Sequence, residues 1–229
     1  MEEILTCDGV VVHYGTRPTP AIALHHLALA AGEKVALLGL NGSGKTTLLL
    51  ATAGLIPFIG TIRVCGIPVE AGRISDVRKR LGFLFSTPDD QLLFPRVLDD
   101  VGFALRRSGA SAVEAEAGSR NMMRDLGAEG LWDRAVHEIS QGERLTVALA
   151  GALVSKPPLL LLDEPSSSLD PPARKRLAQF LSHQQSSMLI ATHDLAFARK
   201  ACNRFLVLDA GKICLDTPDA CQLEKEWGV

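Results

Sequence analysis

A glycine-rich segment between two apolar runs constrains the fold more than any other part of this sequence. Residues 34–38 before it are typical of a buried strand, and residues 47–53 after it are typical of a helix. The segment fits the pattern G-x-x-x-x-G-K-[ST] and consists of Gly39, Leu40, Asn41, Gly42, Ser43, Gly44, Lys45, Thr46 and Thr47. A strand, this turn and a helix in succession predict a phosphate-binding P-loop, the name used below for residues 39–47.

The residue types of the P-loop suit a nucleoside triphosphate with Mg²⁺. Glycines let the backbone turn tightly around an anion, so that N–H groups and the positive end of the next helix face phosphate oxygens. We expect Lys45 to reach the β- and γ-phosphates. We expect the Thr46 hydroxyl to bind Mg²⁺, a hard cation that prefers oxygen. A chance loop of glycine and serine is the alternative, and the flanking strand and helix disfavour it.

An acidic pair follows a second apolar run. Residues 159–162 are all leucine and predict a buried strand that ends at Asp163 and Glu164. Because ligands of open α/β sheets collect at the carboxyl ends of the strands, we expect both carboxylates beside the P-loop. Asp163 is expected to hold the Mg²⁺ shell through water, and Glu164 to orient the attacking water as a general base. The structural alternative is an acidic strand end that only caps the next element.

Composition and charge exclude several classes of function. A chain of 229 residues allows one or two domains and a large core. The net charge of −2 does not favour nucleic acid as the main partner. The five cysteines form no C-x-x-C pair, which favours a reducing compartment over a disulfide framework or a zinc site. The start Met1-Glu2-Glu3 lacks the basic residues of a secretory signal, and no apolar run approaches the roughly 18 residues that span a bilayer.

The first part of the chain predicts β-structure followed by helices. Residues 4–14 alternate around Asp8 and Gly9, which predicts a small hairpin that the β-rich residues 61–69 join. Further on, helical spacing recurs in residues 99–107, 112–126 and 143–154. We therefore expect residues 86–156 to form an inserted helical subdomain.

The core is expected to resume after this insertion. Strands are predicted at residues 159–163 and 188–192, and Asp170 is predicted to cap a helix that begins at Pro171. Ala210 and Gly211 separate two short β-rich runs, which predicts a second hairpin. Strands that alternate with helices predict an α/β fold with a parallel core sheet covered on both faces. The expected division is one domain, residues 1–229, with the catalytic core and an N-terminal antiparallel β subdomain in residues 1–85 and 157–229.

A third motif, the signature segment of residues 139–143, identifies a family resemblance. The segment Ile139-Ser140-Gln141-Gly142-Glu143 precedes a helical pattern and lies shortly before the acidic strand. It resembles the L-S-G-G-Q signature of the ATP-binding cassette family, matching it at Ser140 and Gly142. Glu143 departs from the family pattern and places a negative charge where a phosphate is expected. That charge would weaken the hold on ATP or require a neighbouring cation.

The resemblance assigns roles to four more residues. Asp170 lies in a segment that resembles the family's D-loop between two subunits, and His193 is at the position of the switch histidine that contacts the γ-phosphate and the attacking water. Tyr14, the one tyrosine, resembles the residue that stacks on adenine. Ser86 replaces the family's metal-contacting glutamine, and its shorter side chain would reach Mg²⁺ only through water. A structural tyrosine and an exposed histidine are the alternatives.

A proline-led segment narrows the resemblance. Residues 88–94 and 97–103 resemble the corresponding segments of ATPases from energy-coupling-factor importers, including those for cobalt and nickel. In that family this surface meets an integral-membrane transporter subunit, here near Asp89, Asp90 and Gln91. The alternative is a polar turn before an ordinary amphipathic helix.

The resemblance implies an ATP-hydrolysing motor with ATP and Mg²⁺ as cofactors. Two subunits, identical or not, would hold ATP head to tail, with Ser140, Gly142 and Asp170 contacting the nucleotide of the other subunit. The motor would be cytoplasmic and peripheral on the inner face of the cell membrane, with cobalt, nickel or a vitamin as cargo. The competing interpretations are a soluble cassette ATPase acting on DNA or ribosomes, and a P-loop kinase or GTPase. His25-His26 is a weak metal-site candidate because other ligands are lacking nearby.

Overall fold

The computed structural model describes residues 2–15 and 18–227. Met1, Thr16, Arg17, Gly228 and Val229 lie outside the described residues, and with them both ends of the expected domain. In the described part of the chain, no helix is both long enough and apolar enough to cross a membrane.

One sheet is antiparallel and has four strands in the order β2-β1-β4-β5. The strands are β1 (Glu3–Val12), β2 (Ile22–Ala30), β4 (Ile59–Val64) and β5 (Ile67–Pro68). Strand β1 pairs with β2 on one side and β4 on the other, so the predicted joining of residues 61–69 to the first β-region is confirmed.

The hairpin predicted at Asp8 and Gly9 is wrong, because β1 continues through both residues. Asp8 pairs with His26, and Val10 pairs with Leu24, so the pairing between β1 and β2 continues past Gly9. Gly9 has a φ of 58°, and the pairing with β4 is irregular at the same place. The glycine therefore makes a bulge within a strand and not a turn between two strands.

The bulge also explains why β2 was not predicted from the sequence. Two consecutive residues are exposed in each strand at this place, Asp8 and Gly9 in β1 and His25 and His26 in β2. The alternation of buried and exposed positions slips there, and a pattern of period two is lost.

The second sheet has six strands in the order β10-β9-β3-β8-β7-β6. Their bounds are β3 (Lys34–Leu38), β6 (Leu81–Leu84), β7 (Leu159–Asp163), β8 (Ser187–Thr192), β9 (Arg204–Asp209) and β10 (Lys212–Thr217). Neighbours from β9 to β6 are parallel, whereas β9 and β10 form the antiparallel hairpin expected at Ala210-Gly211. Every residue of β7 and β8 is buried, as strands covered on both faces require.

The described residues also form eight α-helices. They are α1 (Lys45–Thr52), α2 (Ile74–Arg78), α3 (Val97–Arg107), α4 (Ala112–Asp125), α5 (Gln141–Leu153), α6 (Pro171–Ser182), α7 (Leu195–Ala201) and α8 (Ala220–Trp227). The three helices expected between β6 and β7 are α3, α4 and α5, and α3 packs against the other two. Asp170 caps α6 as predicted, its carboxylate accepting from the Ala173 N–H at 2.7 Å.

The apolar cores connect both sheets to the helices. One core joins the antiparallel sheet, helix α1 and one face of the parallel sheet, with Leu5, Leu48 and Leu189 fully buried in it. A second core joins the opposite face to α3, α4, α5 and α6 through residues such as Leu145 and Leu160. Helix α1, which follows the P-loop, is therefore held between the two sheets.

The Arg204 side chain links strand β9 to β10, to β2 and to the turn before β3. Arg204 in β9 forms a two-pronged pair with Asp216 in β10 at 2.6 and 2.7 Å. It also donates to the Ala28 carbonyl at 2.9 Å and pairs with Glu33 at 3.1 Å. The hydrogen bond to Asp216 is the main cause that raises the pKa of Arg204.

We expect Arg204→Ala to lower the free energy of unfolding by about 2 kcal/mol, because two carboxylates and a carbonyl lose their donor. Urea unfolding followed by circular dichroism measures this loss. Lys79→Ala is the matched control, since Lys79 pairs with Asp76 at an exposed site and should contribute less than about 0.5 kcal/mol. Equal losses in the two variants would contradict the role given to Arg204.

Candidate functional site

Three parallel strands end at one edge of the second sheet and bring the predicted site residues together. Leu38 at the end of β3 pairs with Thr192 at the end of β8, and Asp163 at the end of β7 pairs with Ala191. The P-loop leaves β3 at this edge, and Glu164 and His193 follow β7 and β8. The register therefore places loops from distant parts of the sequence beside one another.

The P-loop passes very close to neighbouring backbone. Gly44 has a φ of 109°, and a Cβ built there would lie 2.6 Å from the Ala21 carbonyl oxygen. A Cβ on Gly39 would lie 2.4 Å from the Leu208 carbonyl oxygen. Helix α1 begins at Lys45 without a side-chain cap, so its first N–H groups are available to an anion. Both glycines are needed for the position of the loop.

The Lys45 ammonium turns back toward the first residues of the P-loop. It is buried and donates to the carbonyl oxygens of Gly39 at 2.7 Å and Leu40 at 3.2 Å. Burial lowers the pKa of Lys45, while the negative charges of Glu164 and Asp163 oppose that shift. A phosphate is a stronger acceptor than two carbonyls, so the ammonium is placed to exchange these contacts for phosphate oxygens.

Asp163 and Thr46 connect β7 to helix α1. The Thr46 hydroxyl donates to Oδ2 of Asp163 at 2.8 Å. Burial raises the pKa of the Asp163 carboxyl, whereas the hydrogen bond from Thr46 and the nearby Ser86 hydroxyl lower it. Within residues 2–15 and 18–227, Oδ1 of Asp163 is buried without a hydrogen-bond partner. An unpartnered carboxylate oxygen beside two hydroxyls is a donor set that fits Mg²⁺.

Glu164 is held in a fixed position beside that carboxylate. Its backbone has a φ of 49°, unusual for a residue with a side chain, and its N–H donates to the Ala191 carbonyl at 2.9 Å. His193 Nδ1 lies 3.0 Å from the Glu164 carboxylate. The Thr192 hydroxyl donates to the same carboxylate at 3.3 Å. Two neighbours on β8 and its following loop thus orient the group predicted to act on water.

Thr192 is a site residue that the sequence prediction missed. It also accepts from the Asp194 N–H at 3.0 Å, so it fixes the loop that carries His193. The sequence does place Thr192 at the end of a predicted strand. It does not reveal that this strand is the neighbour of the strand that ends at Asp163.

Tyr14 and Thr47 connect the antiparallel sheet to the P-loop. Their hydroxyl oxygens are 3.4 Å apart, and 43% of the Tyr14 residue surface is exposed. Leu40, Asn41 and Gly42 form the exposed rim of the loop, whereas Ser43 is buried. The ring of Tyr14 is accordingly accessible for stacking next to the P-loop.

The signature segment lies at the start of helix α5. Ser140 is the N-cap residue, and Gly142 comes so close to the loop before α6 that a Cβ would be 3.1 Å from the Ser168 carbonyl oxygen. Across the described ranges 2–15 and 18–227, no hydrogen bond joins Ser140, Gly142 or Asp170 to the P-loop. The structure does not bring these three predicted residues into the site of their own chain.

Two of the three residues expected to meet a membrane subunit, Asp89 and Gln91, form contacts within the chain. Asp89 forms an ion pair with Arg144, whereas Asp90 is exposed. The Gln91 amide accepts from the Phe85 N–H at 3.2 Å and donates to the Ala148 carbonyl at 2.9 Å. Both ends of the Gln91 amide are therefore used to join the residue after β6 to helix α5, and not to contact Asp163.

The adjacent histidines show no metal cluster. His26 Nδ1 lies 2.6 Å from the Asp8 carboxylate on the paired strand. Among the residues that the structure describes, no group of three or more histidine, cysteine or acidic side chains is arranged to hold a metal ion.

The fold and the site define the class as P-loop enzymes that hydrolyse nucleoside triphosphates. Residues 24–167 match the family model described as ABC transporter. The chain belongs to this family and is an ATP-hydrolysing subunit of it. The predicted fold class is confirmed by solved ATP-binding cassettes, to which the chain is similar over most of its length.

Two relatives with similar sequences carry the names of ABC-type ATP-binding proteins. A protein of Streptomyces coelicolor named as an ABC transporter ATP-binding protein is 42% identical over 199 residues, 86% of this chain and 76% of the relative. The energy-coupling factor transporter ATP-binding protein EcfA2 of Methanospirillum hungatei is 36% identical over 215 residues. That match covers 91% of this chain and 54% of EcfA2, so this chain spans about half of that relative.

Two solved cassettes have the same fold. The structure of cbiO1 from Clostridium perfringens, part of the ABC transporter complex cbiONQ, has a TM-score of 0.85 and 30% identity, covering 99% of this chain and 93% of its own. The dimeric bacterial cassette MJ0796 has a TM-score of 0.86 and 23% identity, covering 93% and 97% of the two chains, and shows the fold alone. The resemblance of this chain to the energy-coupling-factor type is thus supported by EcfA2 and cbiO1.

We expect Lys45→Ala to weaken ATP binding by about tenfold or more, because a charge-assisted contact to phosphate is lost. Isothermal titration calorimetry with ATP and Mg²⁺ measures the dissociation constant. Lys200→Ala, at an exposed position near the end of α7, removes the same charge outside the site and should leave the affinity unchanged. An unchanged affinity in the Lys45 variant would exclude the phosphate role.

Proposed function

We propose that this chain is the ATP-hydrolysing motor of an importer of the energy-coupling-factor type. The observation that carries the enzymatic part is the edge where Glu164, fixed by His193 and Thr192, lies beside Asp163 and the P-loop. The importer type is supported by the names of EcfA2 and cbiO1 and by the segment around Gln91. The cargo would be cobalt, nickel or a vitamin, because these belong to the transporters that the sequence resembles.

The P-loop would hold the triphosphate of ATP. Its backbone N–H groups and Lys45 would bind the phosphates, and Tyr14 would stack on the adenine. Thr46 and Asp163 would hold Mg²⁺, with Ser86 acting through water. When bound, the ion would neutralise charge on the β- and γ-phosphates.

Glu164 would orient and deprotonate the attacking water. Its carboxylate is fixed by hydrogen bonds from a hydroxyl and an imidazole, so little reorganisation is needed when the water approaches. His193 would contact both the γ-phosphate and that water. A general base and its orienting neighbours at this place would serve hydrolysis of ATP.

A complete site would need two chains. Among the described residues, no hydrogen bond joins Ser140 or Gly142, at the start of α5, to the P-loop of the same chain, which supports a contact with ATP held by another subunit. Asp170 would take part through the segment before α6. ATP would then join the subunits, and its hydrolysis would let them part.

The transport function requires a membrane partner and a mobile part. We propose residues 86–156 as the helical subdomain and residues 1–85 and 157–229 as the core. The surface near Asp89, Asp90 and Gln91 would meet an integral-membrane subunit, so the chain would act at the inner face of the cell membrane. Since Gln91 hydrogen-bonds to Phe85, just after β6, and to Ala148 in α5, displacement of one of these segments would shift the other.

A pull-down of the tagged chain from detergent-solubilised membranes tests the transport function. Recovery of a multi-span protein, identified by mass spectrometry, would support the importer motor, and its companion components would indicate the cargo. Recovery of only ribosomal or DNA-associated factors would contradict transport and favour the soluble alternative. The Lys45→Ala variant, purified in parallel, shows whether the association depends on nucleotide.

We expect Glu164→Gln to retain ATP binding and to lose hydrolysis by about a hundredfold or more, because the general base is removed while its shape is kept. Phosphate release and calorimetric ATP binding measure the two effects separately. Glu138→Gln is a control at an acidic residue whose carboxylate bonds to the Ala135 N–H away from the P-loop. Turnover at the wild-type rate in the Glu164 variant would show that the base is assigned wrongly.

A further inference from the structure

The signature segment already holds an anion that belongs to the chain itself. The Ser140 N–H donates to Oε2 of Glu143 at 2.7 Å, and the Glu143 N–H donates to the Ser140 hydroxyl oxygen at 3.4 Å. Bonding to the backbone and side chain of Ser140 lowers the pKa of Glu143, so the ionised carboxylate is favoured. The donors at the start of α5 thus face a negative charge before any phosphate arrives.

The same arrangement occurs at an unrelated helix start. Ser111 caps α4, and its N–H and hydroxyl donate to Oε2 of Glu114 at 2.8 and 2.7 Å. Both pairs are capping boxes, which stabilise helix ends in many proteins. Local stability therefore explains the geometry of Glu143, but the location of the carboxylate has a further consequence.

The charge of Glu143 has no ion-pair partner in the described part of the chain. The neighbouring Arg144 pairs with Asp89 and donates to the Ile139 carbonyl at 3.2 Å. Arg134 is close enough to lower the pKa of Glu143, after the hydrogen bonds from Ser140, but forms no ion pair with it among the described residues. An approaching phosphate would therefore meet a carboxylate whose charge is not neutralised.

We propose that the Glu143 carboxylate competes with the γ-phosphate for the donors of Ser140 and so weakens ATP-dependent association of two chains. This inference rests on the proposed two-chain site. For a phosphate to bind the Ser140 N–H, the carboxylate must leave that N–H, and it then stays nearby as a like charge. A glutamine would keep the cap as a neutral acceptor, whose hydrogen bonds are weaker than those of a carboxylate.

The proposed effect acts twice in a symmetric pair of chains, because each nucleotide would face one Ser140. Weak binding of ATP by the signature segment favours the separated state of the two chains. The chains would therefore part more readily after hydrolysis. Glu143 would thus set the balance between the closed and open states without touching the reacting atoms.

The test is ATP-dependent self-association in the Glu164→Gln background, where hydrolysis does not remove the closed state. Sedimentation velocity with ATP and Mg²⁺ over a range of chain concentrations gives the dimer dissociation constant. We expect Glu143→Gln to tighten the dimer by about tenfold relative to the background protein. Glu114→Gln, which changes the same cap and the same charge in α4, should leave the constant unchanged.

Two further readouts separate this role from a structural one. The difference between the Glu143 variant and its background should narrow as salt is raised, since it arises from charge. Both capping variants should lose similar small amounts of thermal stability, and neither should alter ATP affinity of the monomer. A dimer that is equally tight in the Glu143 variant and the background would overturn the inference, while leaving the proposed function intact.

The failure of the proposed function gives a different result. If the Glu164→Gln chain stays monomeric at every concentration with ATP and Mg²⁺, the two-chain site is contradicted, and the role of Glu143 with it. If Glu143→Gln and Glu114→Gln tighten the dimer equally, the effect is one of overall charge and the competition with phosphate is excluded.

Discussion

The parallel pairing of β3, β8 and β7 is the constraint on which the site depends. It brings the P-loop, His193 and the pair Asp163-Glu164 to one edge, although the sequence separates them widely. The hydrogen bond from Thr46 to Asp163 then fixes helix α1 against the end of β7. A shift of one residue in either pairing would misalign these side chains at the edge, so the chemistry relies on the register of the buried strands.

The site concentrates polar groups where the surrounding core is apolar. Lys45 and Asp163 are both buried. Burial lowers the pKa of Lys45 and raises the pKa of Asp163, so it favours the neutral form of each side chain. The chain offsets part of this cost with its own carbonyls and hydroxyls, which a nucleotide and its cation would replace. The site is therefore organised for a ligand whose charges complement those of the protein, as a triphosphate with Mg²⁺ does.

The sequence predicted the elements that carry a strong local pattern. The all-leucine run of β7, the capped helix α6 and the hairpin at Ala210-Gly211 were confirmed, because each depends on residues close in the chain. The bulge at Gly9 was mistaken for a turn, and β2 was missed, because a slip in the alternation imitates a strand end. Thr192 was missed because its role requires the order of strands in the sheet, which no local pattern contains.

In the proposed mechanism, hydrolysis needs the P-loop edge of one chain and the signature segment of another. The most direct measurement is the rate of ATP hydrolysis per chain as a function of chain concentration, at saturating ATP and Mg²⁺. We expect the rate per chain to rise with concentration and then to level off as pairs form. A rate per chain that is constant down to the most dilute samples, where sedimentation shows only monomers, would contradict it.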